Sequence, residues 1–185
     1  MKILKIRFEN INSLVGKHEI DFKDLPGIFA IVGPTGSGKS TILDVITLAL
    51  YNYVPRLGRI SKNLIDSSGA LLSEHTQSCF AEVEYEAKNQ QYRSHWEISR
   101  SRNGTLRDYN MSLSKLPEGE LLDLKKSEVP AQNSAITGLD VDRFLKSMML
   151  AQGDFTRFLK AKEEERSALL EKITGTDIYR RLGKA

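Results

Sequence analysis

The chain has 185 residues, of which 40% are hydrophobic and 28% are charged, and its formal net charge is +3 at pH 7. These values are typical of a globular protein, and the length is sufficient for a core without disulfide or metal support. No stretch approaches the ~20 apolar residues of a membrane span, and no apolar segment of a secretory signal follows residues 1–5. Cys79 is the only cysteine and the three histidines lie at no ligand spacing, so we expect no disulfide framework, no structural zinc site and a reducing, cytoplasmic compartment.

Alternation of apolar and charged residues predicts two half-buried strands at the start of the chain. Their apolar positions are Leu4, Ile6, Phe8, Ile20 and Phe22. The loop 10–16 joins the two strands. The run 28–32 is apolar on both faces, which is typical of a central strand that is covered on both sides.

After residue 38 the spacing of apolar residues changes to that of a helix. The apolar stripe consists of Ile42, Val45, Ile46, Ala49 and Leu50. Pro55 lies just beyond its end, and residues 52–76 are polar and irregular. We predict one helix followed by a long loop.

The middle of the chain returns to a strand pattern. Residues 79–85, 92–98 and 109–113 alternate between apolar and polar side chains, as expected for an antiparallel meander. The dipeptide Asn103-Gly104 lies between the second and third of these segments and predicts a type I′ hairpin turn.

The end of the chain has helical periodicity. One apolar stripe consists of Val141, Phe144, Leu145, Met148 and Met149. Asp140 is its predicted N-cap, a break follows at 151–154, and a second helix is expected over about 160–174. We predict a globular lobe over residues 1–174 and the beginning of a helical arm over residues 175–185.

A phosphate-binding motif lies between the apolar run 28–32 and the first predicted helix. The segment Gly33-Pro-Thr-Gly-Ser-Gly-Lys-Ser40 matches G-x-x-x-x-G-K-[ST] in full. Glycines let backbone N–H groups turn towards a phosphate, the lysine bridges phosphate oxygens, and the hydroxyl of the last residue ligates Mg²⁺. The sequence therefore predicts that ATP or GTP binds with Mg²⁺ through Gly33, Pro34, Thr35, Gly36, Ser37, Gly38, Lys39, Ser40 and Thr41.

The acidic strand that usually completes such a site is missing from the sequence. Leu64-Ile65-Asp66 and Leu121-Leu122-Asp123 have only two apolar residues before the acid, and no segment predicts a second buried parallel strand. A self-sufficient kinase or GTPase needs several βα units after the motif, whereas this chain has antiparallel hairpins. We expect a half-built nucleotide site that another segment or chain completes, a pattern that occurs in ABC-type ATPases.

The sequence resembles the N-terminal head lobe of the SbcC exonuclease-subunit family, whose members are SMC-like ATPases of double-strand-break processing. The resemblance spans nearly the whole chain. Its first half rests on residues 1–4, 10–14, 33–44, 48–51, 55–57 and 81–85. Its second half rests on residues 137–140, 143–144, 149–155, 158–159, 162–166, 169–170 and 174–179.

The resemblance implies a mixed α/β fold with an antiparallel β-subdomain, a P-loop, a glutamine loop and C-terminal helices that enter a coiled coil. It also implies that the chain's own C-terminal lobe carries the signature serine, the Walker B aspartate and the catalytic glutamate. Two such heads would form a homodimer around ATP, with an SbcD nuclease and double-stranded DNA as partners in the cytoplasm at the nucleoid, and with no membrane association.

The resemblance identifies two further site residues. Gln152, in Leu-Ala-Gln-Gly-Asp-Phe, corresponds to the glutamine-loop residue, whose amide oxygen can ligate Mg²⁺ and hold the attacking water. Asn12 lies where relatives place a polar or arginine side chain against the nucleotide, and a turn-forming asparagine is an equally good interpretation. Residues 59–66 would border the adenosine.

Four arginines of the predicted meander have two interpretations. They are Arg93, Arg100, Arg102 and Arg107. They could contact DNA phosphates without reading sequence, or they could be solvated charges that protect strand edges, which is the interpretation we favour.

Two other functions compete with the ATPase head. A stand-alone P-loop kinase predicts phosphoryl transfer without a partner and a parallel sheet flanked by helices. A nucleotide-binding structural module of another SMC-like protein predicts that Gln152 has no part in turnover.

Overall fold

The computed structural model describes residues 1–25 and 31–148, and the side chains up to residue 145. The chain divides into two units, Met1–Gly138 and Leu139–Ala185. Within the first unit the elements in chain order are β1 (Lys2–Ile11), β2 (Leu14–Asp21), α1 (Lys39–Tyr51), β3 (Tyr53–Val54), β4 (Gly58–Arg59), α2 (Lys62–Ser68), β5 (Ser78–Ala87), β6 (Gln90–Ser99), β7 (Asn110–Leu116), β8 (Glu120–Leu121) and α3 (Val129–Thr137). In the second unit the structure describes α4 (Val141–Met148).

Six strands form one antiparallel sheet in the order β2-β1-β5-β6-β7-β8, and β3 and β4 form a separate hairpin. Ile6 of β1 lies opposite Ile20 of β2 and Val83 of β5, so the period-two alternation predicted from the sequence fixes the register. The apolar side chains that β1, β5, β6 and β7 contribute to this face are mostly buried, and α1 packs against β1, β5 and β6. The predicted mixed α/β fold with an antiparallel β-subdomain is confirmed.

The C-terminal end of α1 is buried, and its free carbonyl groups are satisfied by groups from outside the helix. The N–H of Asn52 donates to Leu48 O at 2.9 Å, and the hydroxyl of Ser94 on β6 donates to Ala49 O at 2.7 Å. Asn133 on α3 donates through Nδ2 to Leu50 O at 2.8 Å. A buried helix end without such donors would leave carbonyls unpaired, so these contacts determine where α1 can end.

Further hydrogen bonds tie these caps to the sheet. Tyr85 on β5 donates its hydroxyl proton to Asn133 Oδ1 at 2.7 Å, and Asn133 Nδ2 also donates to Ser94 Oγ at 2.9 Å. Trp96 donates through Nε1 to Asn52 Oδ1 at 2.8 Å. All five side chains are almost fully buried. Because every member has a partner, this network holds α1, α3 and the sheet in one arrangement.

The opposite face of the sheet carries rows of alternating charge. β2 and β5 contribute carboxylates and β1 and β6 contribute cations, so that each strand faces neighbours of the opposite sign. The ion pairs are Lys5–Asp21 (3.0 Å), Arg7–Glu19 (2.9 Å), Arg7–Glu82 (2.6 Å), Arg7–Glu84 (3.0 Å) and Arg93–Glu84 (2.8 Å). Cross-strand pairs of this kind stabilise a sheet, and the two arginines on Glu84 leave its side chain only 7% exposed.

The predicted turn type at Asn103-Gly104 is wrong. A type I′ turn needs positive φ at both central residues, but only Gly104 has one, at 77°. Gly104 N donates to Ser101 O at 2.9 Å, so the turn spans residues 101–104 with glycine at its last position. Glycine is required there only for the left-handed exit from the turn.

Other differences concern segments without a strong pattern. Residues 52–76, predicted as a loop, contain the β3–β4 hairpin and α2, and α3 had no sequence signal. Ile31 and Val32, predicted to end a covered strand, are 43% and 86% exposed. None of the described strands pairs with them, and the rest of that predicted strand lies outside the described residues.

The N-cap of α4 is confirmed. Asp140 Oδ1 accepts a hydrogen bond from the backbone N–H of Arg143 at 2.8 Å, the usual N-cap to N3 contact. The predicted boundary at residue 174 and the helix over 160–174 lie outside the described residues. No helix within the described ranges is long and apolar enough to cross a membrane.

Removing the Asn133 amide should destabilise the lobe. In Asn133→Ala, Leu50 O and the Tyr85 hydroxyl lose their buried partner, and we expect a loss of about 3 kcal/mol in the free energy of unfolding. Urea unfolding followed by Trp96 fluorescence measures it. The neighbouring Ser134→Ala is the control, because the Ser134 hydroxyl bonds to Pro130 O of its own helix; an equal effect of both variants would contradict this role.

His95 should make stability depend on pH. Burial opposes protonation of its ring, but the hydrogen bond and charge of Glu82, together with Glu97, outweigh burial and raise the pKa of His95 above 6.5. A raised folded-state pKa stabilises the fold fully below pH 6.5, and this stabilisation is lost as the pH rises through the folded-state pKa.

We therefore expect His95→Gln to be less stable than the parent chain at pH 6 and to approach it at pH 8.5, as measured by urea unfolding. Ser112→Ala is the uncharged control, since Ser112 lies opposite His95 on β7. A difference between His95→Gln and the parent that stays constant across this range would contradict the prediction.

Candidate functional site

The glycine-rich segment forms an exposed loop that leads directly into α1. Gly36 and Gly38 have φ angles of 85° and 84°, in the left-handed region that side chains rarely adopt. Gly38 is the N-cap of α1. The two glycines therefore permit the tight backbone turn at the beginning of the helix.

Gly38 is also required because of its neighbour Leu14 at the start of β2. A Cβ atom at Gly38 would lie 2.8 Å from Leu14 Cγ and 2.9 Å from its two methyl carbons. Leu14 thus packs directly on the loop backbone where the helix begins. Both the backbone conformation and the available space exclude a side chain at residue 38.

Lys39 lies against the backbone of its own loop. Its Nζ donates to Gly33 O at 2.8 Å and to Pro34 O at 2.7 Å, with Ser37 Oγ at 3.5 Å. These contacts hold the ammonium group beside the loop rather than extended into solvent. The Lys39 ammonium group therefore places a positive charge next to the backbone groups that would contact an anion.

The N-terminal end of α1 suits an anion. No side chain caps it, and its first turn contains no acidic residue. An uncapped helix start carries free N–H donors and a partial positive charge, which favour phosphate. Ser40 is exposed in the first turn, and a hydroxyl oxygen is a ligand of the type that Mg²⁺ accepts. The residues present therefore fit a nucleotide phosphate with its metal ion.

Asn12 reaches this end of α1 from the loop between β1 and β2. Its backbone is left-handed, with φ 53°, and is fixed by Asn12 N donating to Leu71 O and by Ser73 Oγ donating to Asn12 O, both at 2.7 Å. Its side-chain Nδ2 lies 3.5 Å from both Thr41 Oγ1 and Asp44 Oδ2. Asn12 is thus a turn residue and also faces the helix that begins at the loop.

The neighbouring Asn10 differs in this respect. It is also left-handed, but its side chain bonds to backbone groups, accepting from Gly16 N at 2.8 Å and donating to Ser78 O at 3.0 Å. Its amide is used for structure alone. Of the two asparagines, Asn12 is the one whose side-chain amide faces α1.

Asp44 is a site neighbour that sequence reasoning missed. It lies on α1 with its side chain 7% exposed, and Arg56 Nη2 lies 3.2 Å from Oδ2. Burial raises the pKa of Asp44, and the charge of Arg56 opposes this shift. The available signal was a single acidic residue among the mostly apolar residues 42–50 of this helix, where an unpaired charge is costly.

Several other predicted residues fall elsewhere. Gln152 lies outside the described residues. Asp66 is in α2 and Leu121 is in the short edge strand β8, so neither acidic segment is a buried strand beside the loop. Within residues 1–25 and 31–148, no group of three or more His, Cys, Asp or Glu side chains could hold a metal ion.

The four arginines do not form one surface. Arg93 belongs to the charged rows of the sheet, and Arg100 donates to Gly104 O at 3.0 Å and lies 3.8 Å from Asp66. Arg102 and Arg107 are exposed on the loop between β6 and β7. Arg93 lies on β6, which has a neighbouring strand on each side, and it is paired with Glu84, so it does not protect a strand edge.

Comparison with known proteins identifies the family. A family model described as an AAA domain matches residues 5–182. The chain is similar to the SbcC component of the nuclease SbcCD from Pseudomonas aeruginosa, at 42% identity over 100% of the chain and 17% of that protein. It is similar to the same component from Rhodobacter capsulatus, at 39% identity over 97% of the chain and 16% of that protein.

A more distant relative is a probable DNA double-strand break repair Rad50 ATPase of Aquifex aeolicus, 31% identical over 92% of the chain and 16% of that protein. The chain thus spans about a sixth of the length of the curated relatives it matches.

A solved structure supports the fold. It is described as "Structural biochemistry of ATP-driven dimerization and DNA stimulated activation of SMC ATPases", and it matches with a TM-score of 0.54 at 20% identity, covering 94% of this chain and 99% of that chain. At this identity the likeness shows the fold alone. The family model shows that the chain belongs to the AAA-domain proteins, and the similarity to the two SbcC components shows that, among them, it belongs to the SbcC nuclease-subunit family.

Proposed function

We propose that this chain is the ATP-binding lobe of an SbcC-type ATPase head, and that residues 33–41 bind ATP with Mg²⁺. One observation carries the proposal: a loop with two left-handed glycines delivers Lys39 and Ser40 to an uncapped helix start that has no acidic residue in its first turn. This combination of backbone shape and charge suits a polyphosphate far better than a neutral ligand.

Each proposed site residue has a separate role. Lys39 would bridge the β- and γ-phosphates, and the Ser40 hydroxyl would ligate Mg²⁺. Thr41 and Asn12 would flank the phosphates from the first turn of α1 and from the β1–β2 loop. Gln152 would contact Mg²⁺ and the attacking water, and is the only one of these residues outside the described ranges.

The lobe would need a second segment to complete the site. Every strand pairing within the described residues is antiparallel, and Ile31 and Val32, directly before the loop, are exposed apolar residues. A C-terminal lobe that supplies a covering strand, a Walker B acid and a general base would bury them. The antiparallel sheet also disfavours the stand-alone kinase, which needs parallel βα units.

In the whole protein, ATP would bring two heads together as a homodimer and hydrolysis would release them. This cycle would give the SbcD nuclease access to DNA ends and hairpins in the cytoplasm, at the nucleoid. A switch from 1:99 to 99:1 requires ATP to favour the engaged state by about 5.5 kcal/mol. Contacts from the second head to the γ-phosphate are the proposed source of this difference.

Lys39→Ala should abolish tight nucleotide binding. Loss of a charge-assisted hydrogen bond to phosphate corresponds to roughly ten- to hundredfold in affinity. Titration of the full-length protein with fluorescently labelled ATP in the presence of Mg²⁺ measures this change. Lys115→Ala, which removes an exposed cation from β7, is the matched control. Equal affinities of the parent protein and Lys39→Ala would overturn the proposed function.

Gln152→Ala should separate binding from turnover. We expect the full-length variant to bind ATP with nearly unchanged affinity but to hydrolyse it at least about tenfold more slowly, because the metal and water would lose their positioning amide. Light scattering should show ATP-dependent dimers of the parent heads. Unchanged hydrolysis in Gln152→Ala would favour a structural nucleotide module, and ATP turnover by residues 1–185 alone would favour a self-sufficient enzyme.

A further inference from the structure

A buried carboxylate lies close to the proposed phosphate site and needs an explanation. We call Asn12, Asp44 and Arg56 the Asp44 cluster. Asp44 lies four residues after Ser40, so the two side chains are on the same face of α1, one turn apart. Asp44 is also linked to Thr41 through Asn12, whose Nδ2 lies 3.5 Å from each.

This position is unfavourable for a binder of anions. A carboxylate that is 7% exposed is poorly screened by solvent, so its negative charge acts on groups nearby. Phosphate groups bound at Lys39 and Ser40 would be repelled by it. Without compensation, Asp44 would cancel part of the favourable field of the helix start.

Arg56 supplies the compensation. It lies in the turn between β3 and β4, where Leu57 N donates to Val54 O at 3.0 Å and fixes the turn. Its Nη2 lies 3.2 Å from Asp44 Oδ2, while its own side chain is 57% exposed. Burying the carboxylate and leaving the cation half exposed places a neutral pair beneath the site.

We propose that Arg56 is a positioning residue of the nucleotide site, which neutralises Asp44 and so lets the carboxylate orient the Asn12 amide without repelling phosphate. The inference rests on the proposed function, because it concerns the anion that this site would bind. It differs from a direct contact, since Arg56 acts through Asp44. The role of Asp44 is then to accept from Asn12 Nδ2 and to hold that amide beside Thr41.

A double-mutant cycle distinguishes an Arg56 that acts through Asp44 from an Arg56 that contacts the nucleotide directly. The affinity of the full-length protein for fluorescently labelled ADP·Mg²⁺ is measured at about pH 8 for the parent, Arg56→Gln, Asp44→Asn and the double variant. We expect Arg56→Gln to weaken binding on the order of tenfold, the size of one poorly screened charge near the site. Asp44→Asn removes the charge that Arg56 neutralises, so Arg56→Gln should cost much less affinity in the Asp44→Asn background than in the parent.

Two further measurements test the electrostatic origin. Arg56→Lys keeps the charge and should restore most of the affinity, although it loses the planar guanidinium. The defect of Arg56→Gln should shrink as salt rises from about 0.05 to 0.5 M, because salt screens the repulsion between the unpaired Asp44 carboxylate and the bound phosphates. Lys115→Ala controls for loss of a distant cation, and circular dichroism establishes that each variant is folded.

The possible outcomes are distinguishable. If the parent protein and Lys39→Ala bind the nucleotide equally, the proposed function itself is wrong. If the parent binds but Arg56→Gln costs the same in the parent and in Asp44→Asn, Arg56 contacts the nucleotide directly and the inference is wrong. If Arg56→Gln fails to fold, the comparison of Arg56→Lys with the parent decides, and a roughly tenfold loss in that folded variant would overturn the neutralising role.

Discussion

The arrangement of this lobe depends on the hydrogen bonds that satisfy the carbonyl groups at the buried C-terminal end of α1. A helix that enters a core carries carbonyl groups that water cannot reach, and here Asn52, Ser94 and Asn133 satisfy them at 2.7–2.9 Å. The donors come from three separate parts of the chain. These hydrogen bonds fix the position of α1 along its own axis. Because the glycine loop lies at the other, exposed end of the same helix, its position is fixed as well.

The two ends of α1 differ in whether other groups cap their backbone. The C-terminal end is closed by neutral amide and hydroxyl donors, whereas the N-terminal end has no side-chain cap and no acidic residue in its first turn. Hydrogen bonds that stabilise the fold are therefore concentrated at one end, and the features that suit an anion lie at the other. Asp44 is the exception within the helix, and its pairing with Arg56 from a separate hairpin keeps the binding end favourable to anions.

Sequence reasoning predicted what local patterns encode and missed what tertiary contacts decide. Alternation, helical spacing and a motif predict strands β1, β2, β5, β6 and β7, helix α1, the Asp140 cap and the loop 33–40. The hairpin at 53–59, α2 and α3 have weak periodicity, and α3 is held by Asn133, whose partners are 39 to 83 residues away in sequence. The Asp44–Arg56 pair was invisible for the same reason, since no spacing rule joins a helix carboxylate to a later turn.

The charged rows on the outer face of the sheet affect how strongly this face attracts a polyanion at long range. Arg7 and Arg93 are already neutralised by glutamates of β5, so a polyanion approaching this face would gain little counterion release from them. Their ion pairs would have to break first. Exposed cations outside these pairs, such as Lys17 on β2 and Arg102 and Arg107 on the β6–β7 loop, could then set a salt-dependent encounter on this part of the lobe.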